Sequence, residues 1–283
     1  MIDKKQNQSQ IYEGINSYGS FAKINPLLRL PLDWRFTAAP AGVRIFFTMR
    51  RGGVSPAPYD SLNLGFHVGD DPELVIRNRV ALSEAHGIDP ALVTSPRQRH
   101  TAVVELLEHK EQAGAGAFSE ESVFDPCDGL ATALRRVPIL LQFADCLPVV
   151  LAAAGARPAI AVLHGGRQGL MAGVVRNGVS MLAERLGASP ECITAALGPA
   201  IGPCCYEVGP EIAAAFGERF GEETVAGDDR VDLAAAAIVD LKAAGVRPAN
   251  IHLLDICTAC DRDFYSYRRD GVTGRHGALA WIE

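Results

Sequence analysis

The sequence predicts an α+β fold: a single large domain with mixed β-sheets and helices packed outside. Three observations carry this. Apolar runs of strand length and amphipathic stretches of helix length are interspersed, without the strict alternation of a βαβ series. No repeat at a fixed period and no low-complexity linker occurs after residue 40. A chain of 283 residues with 48% hydrophobic and 21% charged side chains can bury a sizeable core, which excludes disorder as its main state.

Residues 1–38 mix Gln, Asn, Ser, Gly and Lys with no period and are expected to form a loose N-terminal arm, leaving 39–283 as the domain. Val43 to Thr48 is apolar and β-prone, ending at Arg50-Arg51-Gly52-Gly53. Asp70-Asp71-Pro72-Glu73 opens a helix, with an Asp cap, Pro in the first turn and acids at the positive end of the dipole. That helix should run to about Ala85 and stop at Gly87. Ala102 to Leu107, Pro138 to Phe143, Leu147 to Ala152 and Ala159 to Leu163 read as strands. Gly169 to Leu186 reads as one amphipathic helix, followed by a strand over Thr194 to Leu197. Pro210 to Phe220 and Leu233 to Ala244 are helices, the second closed by Gly245. Ile251 to Leu254 and Ala278 to Ile282 complete the strands.

Composition narrows the function classes. Lys and Arg number 27 against 33 Asp and Glu, a net charge of −6, so there is no global footprint for nucleic acid. The longest apolar stretch, near 137–164, is interrupted by Asp145, Pro148, Arg157 and Pro158, so no membrane span is expected. MIDKKQNQSQ has no apolar segment behind its lysines, unlike a secretory signal, and a cytoplasmic location is expected. The seven cysteines should then be thiols or metal ligands rather than a disulfide framework.

Three segments place a metal-capable side chain at a strand end: Gln98-Arg99-His100-Thr101, Ala144-Asp145-Cys146-Leu147-Pro148 and Val162-Leu163-His164-Gly165-Gly166. His100, Cys146 and His164 lie 46 and 18 residues apart, so any meeting would be tertiary. Spacing alone favours ordinary strand-end histidines and a buried cysteine. If the three converge, two imidazoles and a thiolate leave a fourth position open, the pattern of a catalytic zinc. The stretch from Leu197 to Gly209 holds too many Gly and Pro residues for a helix or a central strand. It is equally readable as a ligand-facing loop or as a tight corner. Cys257-Thr258-Ala259-Cys260 is a CxxC, but Cys204-Cys205 are adjacent rather than spaced as a partner pair, so structural thiols are expected there. Phe264 to Arg275 combines aromatics with arginines, which suits a flat polar ligand plus an anion or a solvated loop of ion pairs.

Longer stretches are familiar: FFTMRRGGVS, SLNLGFHVGDDPE with Asn78-Arg79, QRH at 98–100, CDGLAT at 127–132, ADCLPVVL, VLHGG, LGPAIGPCCYEVG and CTACDRDFYSYRRDGVTGR. From about residue 43 onward the sequence resembles the YfiH family, also called the multicopper polyphenol oxidase (laccase-like) family, with human FAMIN as a relative. The resemblance implies a YfiH-like catalytic domain whose metal ligands are His100, Cys146 and His164, with Cys146 and His164 also catalytic. It implies a zinc-dependent purine nucleoside phosphorylase acting on adenosine, inosine or methylthioadenosine, with adenosine deaminase activity beside it. Nucleoside and phosphate would be the partners, and zinc the cofactor, with copper as the alternative. Phosphorolysis needs a cationic pocket, for which Arg50, Arg268 and Arg275 are candidates, with Asn63 for the sugar or base. Three alternatives stay open: a copper-dependent phenol oxidase, a Cys-nucleophile hydrolase linked to peptidoglycan editing, and a non-enzymatic binding module stabilised by zinc. Two departures from the family pattern stand out. The turn HAGWRG reads His164-Gly165-Gly166-Arg167-Gln168-Gly169, and Thr101 replaces the Gly after the first His.

Overall fold

The computed structural model describes residues 33–120, 123–155 and 157–283. Most of the arm expected over 1–38 lies outside the described residues. Its last part, Asp33–Arg35, is strand β1. The remaining strands are β2 (Val43–Thr48), β3 (Val104–Leu107), β4 (Gly129–Thr132), β5 (Ile139–Phe143), β6 (Leu147–Ala153), β7 (Ala159–Gly165), β8 (Ile193–Leu197), β9 (Val225–Ala226), β10 (Arg230–Val231), β11 (Ile251–Leu253) and β12 (His276–Ile282). They form a four-stranded sheet in the order β1-β2-β12-β5, a six-stranded sheet in the order β11-β8-β6-β7-β4-β3, and a small β10-β9 ribbon. The four-stranded sheet is antiparallel, while the six-stranded sheet mixes parallel edge pairs with an antiparallel centre.

Side-chain alternation stacks these sheets. Val43, Ile45 and Phe47 of β2, Ile139, Leu141 and Phe143 of β5, and Ala278, Ala280 and Ile282 of β12 point one way. They meet Val150 and Ala152 of β6 and Ile160 and Val162 of β7, closing an inter-sheet core. The opposite face of the six-stranded sheet, with Val149, Leu151, Ala161 and Leu163, is covered by helices. These are α2 (Arg167–Ala172), α3 (Val174–Ser180), α4 (Pro210–Phe220) and α5 (Leu233–Ala243). Phe46, Leu140, Leu279 and Trp281 on the outer face of the four-stranded sheet pack with Leu82 of a further helix, Pro72–Ala85. That helix, α1 in chain order, gives the stack its fourth layer. Strands β6 and β7 are buried on both faces, which is why they read as continuous apolar runs rather than alternating ones.

The caps behave as their chemistry dictates. Asp71 accepts from the Glu73 N–H at the start of α1, and Asp232 accepts from Ala234 and Ala235 at the start of α5. The single helix expected over 169–186 is instead broken. Gly173 takes φ 92° between α2 and α3, and Met181–Arg185 forms a wide π turn. Strand β12 begins two residues earlier than expected, at His276. Among the described residues no helix is long and apolar enough to cross a membrane.

Candidate metal centre

The inter-sheet parity that buries Ile160 and Val162 carries His164, at the end of β7, toward the four-stranded sheet, where its ring meets Phe143 edge-on at 5.4 Å. Cys146 stands just before β6, and His100 on the segment leading to β3. One ligand atom from each of His100, Cys146 and His164 lies within 4.8 Å of the others. His100 Nε2 and Cys146 Sγ are 3.7 Å apart. Zinc bonds of about 2.0–2.3 Å at tetrahedral angles place neighbouring N and S donors roughly 3.5–3.8 Å apart, so this pair fits around one ion. The cradle is tight: a Cβ on Gly166 would sit 2.9 Å from His100 Cδ2 and 3.1 Å from Cys146 Sγ. Only a residue without a side chain leaves room for the cluster.

A residue the sequence reading gave no role organises this site. Asp128, fully buried before β4, bonds His164 Nδ1 at 2.7 Å and accepts the backbone N–H of Arg99 (3.1 Å), His100 (2.9 Å) and Thr101 (2.6 Å). It also accepts the Thr101 hydroxyl at 2.9 Å, a bond the family's Gly could not make. With its carboxylate on Nδ1–H, His164 is held in the tautomer that frees Nε2 for a ligand. Burial opposes the Asp128 charge, but His164 and the backbone N–H donors outweigh it and bring its pKa down to about 2. Burial likewise opposes the Cys146 thiolate, yet the charge of His164 and the hydrogen bonds of both histidines lower it to about 6. Against its own burial, His164 is raised to about 9 by Cys146 and Asp128. In the absence of an ion, Cys146 and His164 thus favour a thiolate–imidazolium pair.

The other expected contacts divide. Arg275 is near enough for the charges of Cys146 and Asp145 to oppose the lowering of its pKa by burial. Its Nη1 is bonded to the Thr273 and Gly274 carbonyls, each at 3.0 Å. Arg268 is exposed, donates to the Glu207 carbonyl at 2.7 Å and lies 5.5 Å from the centre of the Tyr206 ring. Burial pushes the Tyr206 phenol above its ordinary pKa, and the charge of nearby Arg167 works against that rise. Arg50 is bound to Asp60 at 3.1 Å and to Asp270 at 3.7 Å, so two carboxylates already offset its charge. Asn63 does not face the site. It is fully buried, with its amide spent on Gly65, Asp70 and the Arg275 N–H, so it braces a loop rather than contacting a substrate. A cleft lined in part by Phe66, His67, Arg97, Gln98 and Arg99 runs along the segment entering His100. Burial, then the charges of Arg275 and Arg79, lower His67 to about 4, so it is neutral at pH 7.

The structure corrects one argument from spacing. Cys204-Cys205 and the Cys257/Cys260 pair, more than fifty residues apart in the chain, bring their four sulfurs within 4.8 Å of one another. Adjacent cysteines can thus converge on a CxxC, because the 202–206 turn brings both sulfurs toward it.

A stack of two sheets between helices, with a His–Cys–His cluster at its strand ends, defines an α+β protein with three donors placed where they could hold a metal ion. The chain belongs to the family described as multi-copper polyphenol oxidoreductase laccase, the YfiH family, which it matches over residues 44–283. It is 39% identical over 246 residues to a purine nucleoside phosphorylase of Mycobacterium tuberculosis, covering 85% of this chain and 92% of that one. A purine nucleoside phosphorylase of Xylella fastidiosa is 40% identical over 265 residues, covering 89% and 96%. Among solved structures, the hypothetical protein YfiH of Bacillus licheniformis superposes with a TM-score of 0.81 at 30% identity over 85% of this chain and 93% of that one. YlmD of Geobacillus stearothermophilus gives 0.78 at 32% identity over 86% and 93%.

Proposed function

We propose that this chain is a zinc-dependent purine nucleoside phosphorylase that also deaminates adenosine, working in the cytoplasm. The observation that carries this reading is the convergence of His100, Cys146 and His164, braced by Asp128, in a chain whose relatives are named for phosphorolysis of purine nucleosides. An ion held by these three would supply Lewis acidity toward a substrate oxygen or a water. The rest falls to the chain's own side chains. Asp128 fixes the His164 tautomer and, through three successive N–H groups, the path of the chain at His100. Arg275 and Arg268, which pair with no carboxylate side chain among the described residues, are the cations proposed to receive phosphate. Tyr206, whose ring centre lies 5.5 Å from the Arg268 guanidinium, and Arg167, the residue after Gly166, are proposed as their neighbours in that pocket. Arg50 contributes less, because Asp60 and Asp270 hold it.

The family's description as a multi-copper oxidoreductase offers a second reading, since two His and one Cys also suit copper. Against it, the described residues bring only two metal-capable groups together, and the second is all thiol, so no histidine-rich cluster accompanies the first. The test is a comparison of wild type and Cys146→Ala, each analysed for zinc and copper. Both are then assayed for phosphate-dependent release of hypoxanthine from inosine, ammonia release from adenosine, and oxygen uptake with phenols. Joint loss of zinc and the first two activities is the expected outcome. Zinc-independent turnover, or oxygen uptake that follows copper, would overturn the proposal.

A further inference from the structure

The four-cysteine group outside the first site suggests a second metal centre. Cys260 Sγ lies 3.7 Å from Cys204 Sγ and 3.4 Å from Cys205 Sγ, and all four sulfurs fall within 4.8 Å. A tetrahedral ion with metal–sulfur bonds of about 2.3 Å has sulfur–sulfur edges of roughly 3.8 Å. An iron–sulfur cube holds its cysteine sulfurs further apart than this group, which leaves room for a single ion. The backbone around the group has the form of two ligand-bearing turns. Cys205 and Tyr206 donate to the Gly202 carbonyl at 3.0 Å each, and Cys260 and Asp261 donate to the Cys257 carbonyl at 3.1 and 2.9 Å. The Gly202 N–H points at Cys257 Sγ, 3.2 Å away, as a donor suited to a thiolate. Gly202 also lets the turns meet, since a Cβ there would lie 3.3 Å from Cys204 Sγ and from Cys257 Cβ. Four thiols are poor hydrogen-bond partners for one another, and hydrophobic packing does not explain two exposed ones at the centre of the group.

We infer that Cys204, Cys205, Cys257 and Cys260 bind one zinc ion as a closed, structural tetrathiolate site. Binding takes up one Zn²⁺ and releases the thiol protons to solvent as four Zn–S bonds form. The site staples the 198–209 loop to the 256–269 loop. Both loops reach the residue beside Cys146: Ile201 N–H bonds the Asp145 carbonyl at 2.8 Å, and the Thr258 hydroxyl and Arg268 N–H each reach the Asp145 carboxylate at 2.7 Å. The second ion thus holds the wall of the first site without touching it. This inference does not depend on the nucleoside chemistry.

The experiment uses the whole chain, expressed with zinc and purified under reducing conditions. Elemental analysis and native mass spectrometry should find two zinc ions per chain. Cys257→Ser with Cys260→Ser should lose one, and Cys146→Ala the other. In wild type, Cys204 and Cys260 are exposed, so they should resist iodoacetamide while zinc is bound and react once a chelator is added. One zinc per chain, retained when Cys257 and Cys260 are replaced, would overturn the inference. So would alkylation of Cys204 and Cys260 at the same rate with and without chelator, or protection released by reductant rather than chelator, which would mean a disulfide. The alkylation arm needs no variant and decides the matter if the double replacement does not fold.

Discussion

Replacing Asp128 with Asn separates the part played by a buried acid from that of the ligands themselves. Oδ1 of Asp128 serves His164 and the His100 N–H, while Oδ2 serves the Arg99 N–H, the Thr101 N–H and the Thr101 hydroxyl. An amide keeps only one oxygen. Placing its NH₂ at the Oδ2 position would orphan up to three donors, so the less costly orientation puts it at Oδ1. There it faces His164 Nδ1 and leaves the His100 N–H unpaired. His164 can then accept only by moving its proton to Nε2, the nitrogen that a metal needs. The expected result is a 10- to 100-fold loss of zinc affinity, about 1.4–2.7 kcal/mol. The lost charge-assisted bond should lower fold stability by a further ~1.5–3 kcal/mol. Competition with a chromogenic chelator reads the first quantity, and the urea midpoint reads the second. Thr101→Val, which removes only the hydroxyl bond, should sit between wild type and Asp128→Asn. Zinc affinity within twofold of wild type in Asp128→Asn would refute the reasoning, since the tautomer would then be set by something other than this carboxylate.

Four further outcomes follow from the same geometry. Gly166→Ala should leave the melting temperature within a few degrees of wild type while cutting zinc content at the first site, because the added Cβ displaces His100 and Cys146; full occupancy by elemental analysis would contradict the cradle. Burial, then the charge of Arg275, lowers His276 to about 3 from its ordinary 6.5, so the unfolded chain binds its proton first. Stability is then full above about pH 6.5 and falls as the pH drops toward 3, by on the order of 4 kcal/mol over that window. His276→Leu should flatten this part of the curve in urea titrations run at several pH values. Buried Arg79 donates to the carbonyls of Leu64, Gly116 and Ala117, so Arg79→Met should cost about 3 kcal/mol or more, read from the urea midpoint. Arg167→Trp with Gln168→Arg should raise phosphorolysis of inosine about 10-fold or more while deamination changes less, if the exposed Gln168 stands where a phosphate contact was lost; equal changes in both rates would rule that contact out.

What was legible in the sequence is what local chemistry decides. Asp71 with Pro72 at one end and Gly87 at the other mark the ends of α1 to within two residues, and β6 and β7 announce themselves as long apolar runs. Strands β1, β4, β9 and β10 have two to four residues each, too few to display a period, and exist because a neighbour pairs with them. The break at Gly173 was hidden because apolar side chains on both sides of it keep helical spacing. At the site, the meeting of His100, Cys146 and His164 was suggested by motifs and not by intervals, since the three come together only in the folded chain. Asp128 stood inside the CDGLAT stretch with nothing local to distinguish it from a turn acid. Its burial between Cys127 and Gly129, which marks it as more than a turn acid, emerges only in the folded chain. The four-thiol group was missed for a sharper reason. Ligand spacing rules assume that each pair lies on one regular turn, whereas here the loop from Gly198 folds back and presents two adjacent cysteines to one centre.

The backbone links these observations. Three non-glycine residues among those described have positive φ, and two of them flank the cluster: His100 at 60° and Asp145 at 86°. Each costs about 1–3 kcal/mol unless the surroundings hold it. In both cases a buried aspartate does the holding, in opposite ways. Asp128 reaches across to take three consecutive N–H groups around His100, while Asp145 uses its own carboxylate to catch Thr258 and Arg268 from the second loop. The left-handed turns aim His100 and Cys146 at a common point, and the hydrogen bonds keep them there before any ion arrives. If the proposed ion binds, a site prepared in this way asks little reorganisation of its ligands, and much of the affinity would then rest on residues that never touch the metal. The loop carrying Thr258 is also the loop carrying Cys257 and Cys260, which gives the proposed tetrathiolate a physical route to the first site: freeing that loop releases Asp145, and with it the turn that presents Cys146.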